Sequence, residues 1–365
     1  MHMSDALLSP VVGGAMWLVS AAAIGLSVKK IAGDKDASGL NEKKIPIMGV
    51  LGAFVFAGQM INFTIPATGS SGHIGGGILL AALLGPAPAL VTLASVLLIQ
   101  CLFFADGGLL AYGCNVFNMG VIPCLGAYTL IYKPLVKKGL NKSRITLAAI
   151  LAVVAGLLAG AFCVVLETLA SGITELPFSA FVALMLPIHA AIGLVEGIVT
   201  AAVLCFVYSA RPELLCGAVN NSKLDAAVPV KKVLAIFGVL ALVVAGVLSL
   251  FASAYPDGLE WSVEKVAGTT GLERGGSVYE AAAGVVDKTA FMPDYSFRAS
   301  AGQEASGANE AAGTAVAGTA VAGITGSVIT VIVAGGLGLI IYAAGRRVRR
   351  RPLSPDDKKT GVRTA

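Results

Sequence analysis

The chain has 365 residues, of which 56% are hydrophobic and only 13% are charged, and its mean hydropathy is +0.84. This composition excludes an ordinary water-soluble domain, because long apolar runs need a hydrocarbon environment. The net charge of +5 comes from short basic segments between apolar runs, which does not suggest a nucleic-acid partner. The six cysteines include no CxxC pair and predict neither a zinc site nor a disulfide framework.

Nine apolar runs predict an all-α polytopic membrane protein with about nine spans in a lipid bilayer. The runs are continuous, whereas apolar and polar residues alternate in the strands of a membrane β-barrel. They cover residues 11–28, 45–65, 75–85, 88–104, 113–132, 145–170, 180–209, 233–254 and 327–345. The first seven are expected to form a core bundle, and the last two to flank an outer loop.

Four basic segments predict the orientation of the chain in a cell membrane. They lie at 29–44, 133–144, 211–232 and 346–351. The positive-inside rule places all four in the cytoplasm. The first run must then cross from outside to inside, so the N-terminus is expected outside and the C-terminus in the cytoplasm.

The stretch 73–104 is too long for one span and contains Gly-Pro-Ala-Pro at 85–88. It is interpreted as two segments that meet at this turn, the first of them short. Ten helical residues cover about 15 Å, or about half of the hydrocarbon core. The preceding loop, 64–73, is therefore expected to dip into the protein, where irregular backbone is tolerated only if it lines a cavity.

The composition divides the chain into a transmembrane bundle, a cytoplasmic linker, an accessory domain with an outer loop, and a basic cytoplasmic tail. The corresponding ranges are 1–210, 211–232, 233–345 with loop 255–326, and 346–365. The loop carries nine acidic and four basic residues and is expected to be an ordinary solvated loop rather than an acidic vestibule. Its repeat GTAVAGTAVAG, at 313–323, indicates either a flexible linker or the extended start of the last helix.

One of only three histidines directly follows the first methionine. No signal peptide is expected, because Lys29 and Lys30 rather than a cleavage site follow the first apolar run, so the mature chain should begin with a free Met1 amine. That amine, the His2 amide nitrogen and the nearer His2 ring nitrogen can chelate one metal ion. Deprotonation of an amide requires a strongly Lewis-acidic ion such as Ni(II) or Cu(II), and an all-nitrogen donor set favours square-planar geometry.

His73 is the expected fourth donor, because it lies in the glycine-rich loop that dips from the same side. Neighbouring glycines, including Gly72 and Gly75, would let the backbone approach closely. The alternative is a frayed terminus without a ligand, which is the usual outcome at a chain end. The residues alone leave both interpretations open.

Four further polar residues are candidates for supporting roles. His189 and Glu196 are seven residues apart in one apolar run and therefore share a helical face. They are expected to orient metal ligands or to hold helices together rather than to ligate the ion. Asp106 and Asn115 are outer-side polar groups that either support the site or cap helices.

Four motifs, in order, closely resemble the CbiM/NikM family of substrate-binding components of energy-coupling-factor transporters for cobalt and nickel. They are MHMSDALLSP, PATGSSGHIGGGILLAALLGP (66–86), LFFADGGLLAYGCNVFNMGVI (102–122) and HAAIGLVEGIVT (189–200). The resemblance covers about residues 1–210, and 255–297 resembles the small accessory PDGLE domain. It implies metal ligation by the Met1 amine, the amide and ring of His2, and the ring of His73.

The resemblance also implies partners: a transmembrane coupling subunit and a cytoplasmic ABC-type ATPase. The chain contains no G-x-x-x-x-G-K-[ST] loop of its own. Candidate docking surfaces are pairs of small residues four positions apart. These pairs are Ala21/Gly25, Gly156/Gly160 and Gly193/Gly197.

The leading hypothesis is a non-enzymatic membrane subunit that captures Ni2+ or Co2+ as transported substrate for an ATP-driven importer. The square-planar donor set slightly favours nickel, and no organic cofactor is expected. One alternative is a membrane-embedded metalloenzyme, although four nitrogen donors leave no open in-plane position for a substrate. Another is a structural or signalling bundle, which predicts no stoichiometric metal.

Overall fold

The computed structural model consists almost entirely of helices. It describes residues 1–33, 44–174, 176–220, 230–270, 272, 274–298 and 308–350, with the side chains of 308–316 and 346–350 outside the description. Within these ranges, seven helices are long and apolar enough to cross a membrane. The chain is therefore a multi-pass membrane protein, as its composition predicts. The count of nine spans and the orientation stay predictions.

Thirteen α-helices and one strand pair make up most of the regular structure of the described residues. In chain order the helices are α1 (Pro10–Gly33), α2 (Lys44–Gln59), α3 (Gly77–Leu84), α4 (Pro86–Phe104), α5 (Tyr112–Val116), α6 (Lys133–Lys137), α7 (Lys142–Ser171), α8 (Phe178–Ala210), α9 (Pro212–Val219), α10 (Val230–Gly246), α11 (Gly258–Ala267), α12 (Ser277–Thr289) and α13 (Ala308–Arg350). A π-helical segment, Phe117–Tyr132, joins α5 to α6 in one continuous run. Pro123 lies inside it and has no N–H to donate, which is a common cause of irregular helix geometry.

The dipping loop is a β-hairpin rather than irregular backbone. The helix predicted over 45–65 ends at Gln59, and strands β1 (Phe63–Ile65) and β2 (Ser70–Gly72) follow as an antiparallel pair. Strand pairing satisfies backbone N–H and C=O groups that lipid could not satisfy. The predicted break is present, because α3 has only eight residues and ends before Gly85, whose φ is +90°.

The C-terminal helices complete the core bundle instead of standing apart from it. α4, α10 and α13 all pack against α2, which is buried along almost its whole length. Glycines permit the close approach: a Cβ on Gly49 would lie 2.9 Å from the Val331 carbonyl oxygen, and one on Gly326 would lie 2.1 Å from the Phe56 ring. The two blocks expected from the sequence therefore share one hydrophobic core.

The expected linker contains a helix, and the Ala/Gly repeat takes one of its two expected forms. The linker 211–232 includes α9, whose Leu214 and Leu215 are buried, while 221–229 lies outside the described residues. The Ala/Gly repeat 313–323 is the extended start of the last helix, because α13 begins at Ala308. The basic tail has no described side chains.

Two of the three small-residue pairs serve internal packing and not subunit docking. A Cβ on Gly193 would lie 3.1 Å from Val154 Cα, and one on Gly197 would lie 2.9 Å from Ile150 Cα, so α8 packs closely on α7. Gly156 and Gly160 likewise face the helix that contains Pro123 and Asn118. Ala21 and Gly25, by contrast, are exposed on α1.

Candidate metal centre

The N-terminus is enclosed by the core and is not frayed. Met1 is 6% exposed, and its amine nitrogen lies 3.3 Å from Nε2 of His73. The same amine forms an ion pair with the carboxylate of Asp257. Met1 and His73, the two predicted donors that lie furthest apart in the sequence, are therefore neighbours in the structure.

The residues after His2 hold the terminal segment in place. The Met3 N–H donates to Asn115 Oδ1 at 2.7 Å, and Asn115 Nδ2 donates back to the Met3 carbonyl at 3.1 Å. Two residues on, Asp5 Oδ1 accepts from the Ala111 N–H at 2.9 Å. Asn115 therefore fixes the backbone that presents the amine and His2, because the oxygen and the nitrogen of its side-chain amide both bond to Met3.

The His2 ring and three other side chains form a closed ring of polar contacts. Its Nδ1 lies 3.2 Å from Asp106 Oδ1, and its Nε2 lies 3.2 Å from Gln100 Oε1. Gln100 Nε2 donates to the Tyr295 hydroxyl at 3.3 Å, and that hydroxyl donates to Asp106 Oδ2 at 2.5 Å. Asp106, expected as a support or a helix cap, contacts the ligand ring directly. Chelation through the nearer ring nitrogen of His2 requires an exchange of its contact with Asp106.

The hairpin brings the second ring to the first. His73 follows β2, and its ring stacks on the His2 ring with centroids 5.2 Å apart and planes 25° from parallel. Its Nδ1 lies 3.2 Å from the Ile74 carbonyl oxygen, which matches the backbone contact that metal-binding histidines usually make through their second nitrogen. The Nε2 atom of His73 faces the Met1 amine.

The electrostatics of the pocket keep both rings in the form that binds metal. Burial, together with the Met1 ammonium, lowers the pKa of His2 to about 3, and the same causes lower the pKa of His73 to about 3. Burial alone would raise the pKa of Asp257, but the nearby ammonium and His73 hold it well below its usual range. At neutral pH the rings are neutral, and neutral imidazole is the ligand form.

Main-chain nitrogens are essential to this donor set. Within the part of the chain that the structure describes, no three side chains of His, Cys, Asp or Glu are grouped so that they could hold an ion. A complete nitrogen set at this position needs the Met1 amine and the His2 amide as well as the two rings. Such a set suits late first-row divalent ions.

The outer loop covers the centre, so the expectation of an ordinary solvated loop is wrong for the segments that pack on the core, whereas α12 contains no buried residue. Asp257 is the N-cap of α11: its Oδ1 accepts from the N–H groups of Leu259 and Glu260 at 2.8 and 2.9 Å, while its Oδ2 meets the Met1 amine. The Ser71 N–H donates to the Pro256 carbonyl at 2.8 Å, which fastens the loop to the hairpin.

A cavity of about 330 Å³ separates the loop from the core and opens next to His2. We call it the acidic vestibule. Its carboxyl groups are those of Asp5, Asp106, Asp257, Glu260, Asp287 and Asp294. Burial and neighbouring carboxylates raise the pKa of Asp106, Glu260 and Asp294, so a cation in the vestibule would relieve their mutual repulsion.

His189 and Glu196 share a face of α8, as expected, and line a second cavity that also touches Met1 and His73. They do not hydrogen-bond to each other. His189 Nδ1 lies 2.7 Å from the Met185 carbonyl oxygen, and Glu196 Oε1 accepts from the Gly76 N–H at 2.9 Å. Glu196 therefore ties α8 to the glycine-rich loop.

Sequence reasoning missed Gln100, Asp257 and Tyr295. Gln100 carried a signal, because it is a polar residue in an otherwise apolar run. The sequence Asp-Gly-Leu-Glu at 257–260 signals a capping box, which the structure contains, but a cap motif does not predict that the second carboxylate oxygen reaches Met1. No local signal identifies Tyr295.

Comparisons with known proteins match both parts of the chain. Residues 2–214, more than half of the chain, match the family described as CbiM, cobalt uptake substrate-specific transmembrane region. The chain belongs to the CbiM family. Residues 231–343 match the PDGLE domain, so this CbiM-family chain carries both regions in one polypeptide.

Two relatives are named as fused proteins. A protein of Archaeoglobus fulgidus with the provisional name fused nickel transport protein NikMN is 31% identical over 94% of this chain and 99% of its own length. The fused nickel transport protein NikMN of Rhodobacter capsulatus is 32% identical over 72% of this chain and 76% of its own. A solved structure described as a transition metal transporter is 28% identical and has a TM-score of 0.51, over 60% of this chain and 96% of that chain. This CbiM-family chain is thus a membrane protein of a cobalt and nickel transport family.

Proposed function

We propose that this chain captures Ni2+ or Co2+ outside the cell and passes it inward as the substrate-binding subunit of an ATP-driven, energy-coupling-factor importer. The observation that carries the proposal is the meeting of the Met1 amine, the His2 ring and the His73 ring. The amine lies 3.3 Å from His73 Nε2, and the two rings stack. Adjacent nitrogen ligands around one ion are separated by a distance of this order.

The proposed orientation puts this centre and the acidic vestibule outside. The basic residues Lys30 and Lys44 lie together at a different cavity, beside Gly85 and Gly217. This separation of the acidic and basic ends of the bundle supports an outer metal centre and a cytoplasmic basic face. A transmembrane coupling subunit and an ABC-type ATPase are the proposed partners on the inner side.

The chemistry of loading is an exchange of protons for the metal. In the ion pair with Asp257 the amine is an ammonium, and the His2 amide carries its proton. Ligation by both nitrogens releases two protons, while the rings are already neutral. One dication then replaces two protons, so the net charge beside Asp257 is unchanged and the loop carboxylate can serve as counter-ion in both states.

Nickel is the proposed preferred substrate. A deprotonated amide with an amine and two imidazoles favours a square-planar ion, and Ni(II) accepts this geometry more readily than Co(II). The names of the two fused relatives, which both refer to nickel, support the same choice. Copper binds such donors at least as well, so selectivity against copper must come from its availability.

The direct test is metal binding by the purified full-length chain with a native N-terminus and a C-terminal affinity tag. Three proteins are compared: the native chain, a variant with two glutamines inserted between Met1 and His2, and His73→Ala. Two residues are inserted because a single insertion would put histidine third, a position that itself chelates nickel through the amine and two amides. Metal content is measured by mass spectrometry after equilibration with NiCl2 or CoCl2.

The native chain is expected to retain one equivalent of metal, and each variant to bind at least about 100-fold more weakly. Equal retention by the insertion variant would show that the terminus is not the site. Uptake of nickel by cells that contain the complete importer should follow the same order. Uptake that persists after inactivation of the ATPase partner would contradict the ATP-driven mechanism.

A further inference from the structure

A second cavity lies directly beside the metal centre, deeper along α8. It encloses about 30 Å³, and its wall includes Met1 and His73 as well as His189 and Glu196. This volume holds an ion or one to two water molecules. The same cavity therefore connects two of the proposed donors to two further residues of types that ligate metals.

The hydrogen bonding of the His189 ring is typical of a metal-binding histidine. The residue is 1% exposed, and its Nδ1 lies 2.7 Å from the Met185 carbonyl oxygen, an acceptor. Nδ1 must therefore carry the ring proton, which leaves a lone pair on Nε2. Among the described residues, none offers a hydrogen-bond partner to that Nε2. A histidine that donates one N–H to a backbone carbonyl and leaves its other nitrogen free has the arrangement typical of metal sites.

Glu196 presents a second unpartnered atom to the same cavity. The residue is 3% exposed, and its Oε1 accepts from the Gly76 N–H, but no residue in the described ranges bonds to Oε2. Buried polar atoms in proteins are almost always hydrogen-bonded, because leaving one unsatisfied costs about 1–3 kcal/mol. Two such atoms on one cavity wall indicate that the cavity takes a polar occupant.

The two residues lie at different distances from the metal centre. His189 and Glu196 are separated by two helical turns, or about 10 Å along α8. Gly258, next to the loop carboxylate, packs against the His189 ring, since a Cβ there would lie 3.1 Å from its Cε1. Glu196 contacts the loop before α3 instead. His189 thus adjoins the metal centre, and Glu196 lies further along the helix.

We propose that His189 and Glu196 form an inner cation station: after it leaves the Met1 amine, the transported Ni2+ or Co2+ binds to Nε2 of His189, and a water molecule in the cavity links the ion to the Glu196 carboxylate. The proposal rests on the proposed function, because it needs the outer centre to be loaded first. The station stabilises a dication that has lost most of its hydration shell, at a depth where such an ion is otherwise strongly disfavoured.

The test uses two substitutions that keep the structural hydrogen bonds. Glu196→Gln keeps an oxygen for the Gly76 N–H but removes the carboxylate. His189→Asn keeps a donor near the Met185 carbonyl but removes Nε2. Glu167→Gln is the matched control, because Glu167 is another buried carboxyl with one unpartnered oxygen, on α7, and it does not line this cavity. Each full-length variant is titrated with NiCl2, and nickel uptake is measured with the complete importer.

Both station variants are expected to bind the first nickel within about threefold of the native affinity and to lose more than about 90% of uptake. The native chain should also bind a second, weaker nickel that neither variant binds. The control should match the native chain in all three measurements. Native uptake by either station variant would overturn the proposal and would mean that water fills the cavity. If the native chain failed to bind the first nickel, the proposed function itself would be refuted.

A measurement on the native chain covers the case in which a variant fails to fold. Crystals of the full-length protein with two equivalents of CoCl2 should show two anomalous peaks, one at the Met1 amine and one between His189 and Glu196. A single peak at the Met1 amine, with water density in the inner cavity, would overturn the inner station while leaving the outer centre intact.

Discussion

The carboxylate of Asp257 forms an ion pair with the amine of Met1, although the two residues are 256 positions apart in the chain. The same carboxylate caps α11 through its other oxygen. The cap fixes the side chain, and the fixed side chain holds the charge at the terminus. A single residue of the PDGLE region thus couples the fold of the outer loop to the electrostatics of the metal centre.

Nickel binding should release two protons per metal. The ammonium of Met1 and the amide of His2 each lose one, whereas the rings of His2 and His73 lose none above about pH 5, because the pKa of each is about 3. The apparent affinity should therefore rise about 100-fold per pH unit between pH 5 and 7. Calorimetry in buffers of different ionisation enthalpy measures the proton count. A count of one would mean that the amide does not ligate.

Tyr295→Phe should weaken nickel binding by about tenfold without unfolding the protein. The hydroxyl links Gln100 to Asp106 and so positions the His2 ring, while the aromatic ring packs on Phe104 and would remain. Tyr208→Phe is the matched control, because its hydroxyl bonds to the Leu140 carbonyl, away from the centre. Affinity is measured by competition with a metal-binding dye. Equal losses in both variants would contradict a positioning role for Tyr295.

The acidic vestibule should speed loading in a salt-dependent way. Asp287→Asn combined with Asp294→Asn removes two of its charges, and asparagine tolerates the left-handed backbone of Asp294, whose φ is +49°. The loading rate in stopped flow should fall severalfold at 10 mM salt and match the native rate at 1 M, where the Debye length is about 3 Å.

The control for the vestibule is a double change in the same loop. Glu264→Gln with Glu280→Gln alters the net charge equally, but neither residue lines the cavity. A rate that depends only on net charge, and not on which pair is changed, would show that the vestibule has no local effect.

Gly258→Ala should displace the outer loop from the core. A Cβ there would lie 2.8 Å from the Ile192 side chain and 3.1 Å from the His189 ring, closer than packed carbons tolerate. Trp261 reports the displacement, since its indole N–H donates to the Thr68 carbonyl at 3.0 Å in the docked loop. In a Trp17→Phe background its emission should shift to the red, and nickel affinity should fall.

Gly284→Ala in α12 provides the comparison for this substitution, because a Cβ there meets nothing within 4 Å. Its tryptophan emission and nickel affinity should equal those of the Trp17→Phe background. Unchanged emission in the Gly258 variant would mean that the loop docks without the close approach at this glycine.

The sequence by itself indicated the long membrane helices of this protein and the proposed donors of its centre. Long apolar runs define membrane helices whatever their neighbours, because lipid leaves backbone groups no other partner. His2 was identifiable because the chelate it forms with its own backbone is local, and His73 because a glycine-rich loop signalled a close approach. The Gly85 break was equally local, since glycine and proline fix backbone geometry directly.

Only the tertiary structure decided which distant groups complete the centre. The first strand of the hairpin lies where the apolar run predicted continued helix, the second lies where a dipping loop was expected, and Ser71 of that second strand hydrogen-bonds to the outer loop at Pro256. Asp257 and Tyr295 reach Met1 and Asp106 through packing of the outer loop on the core, and a loop of mixed charge carries no local sign of what it covers. The unpartnered atoms of His189 and Glu196 likewise appear only when the cavity around them is closed, because burial and the absence of a partner are properties of the packed molecule.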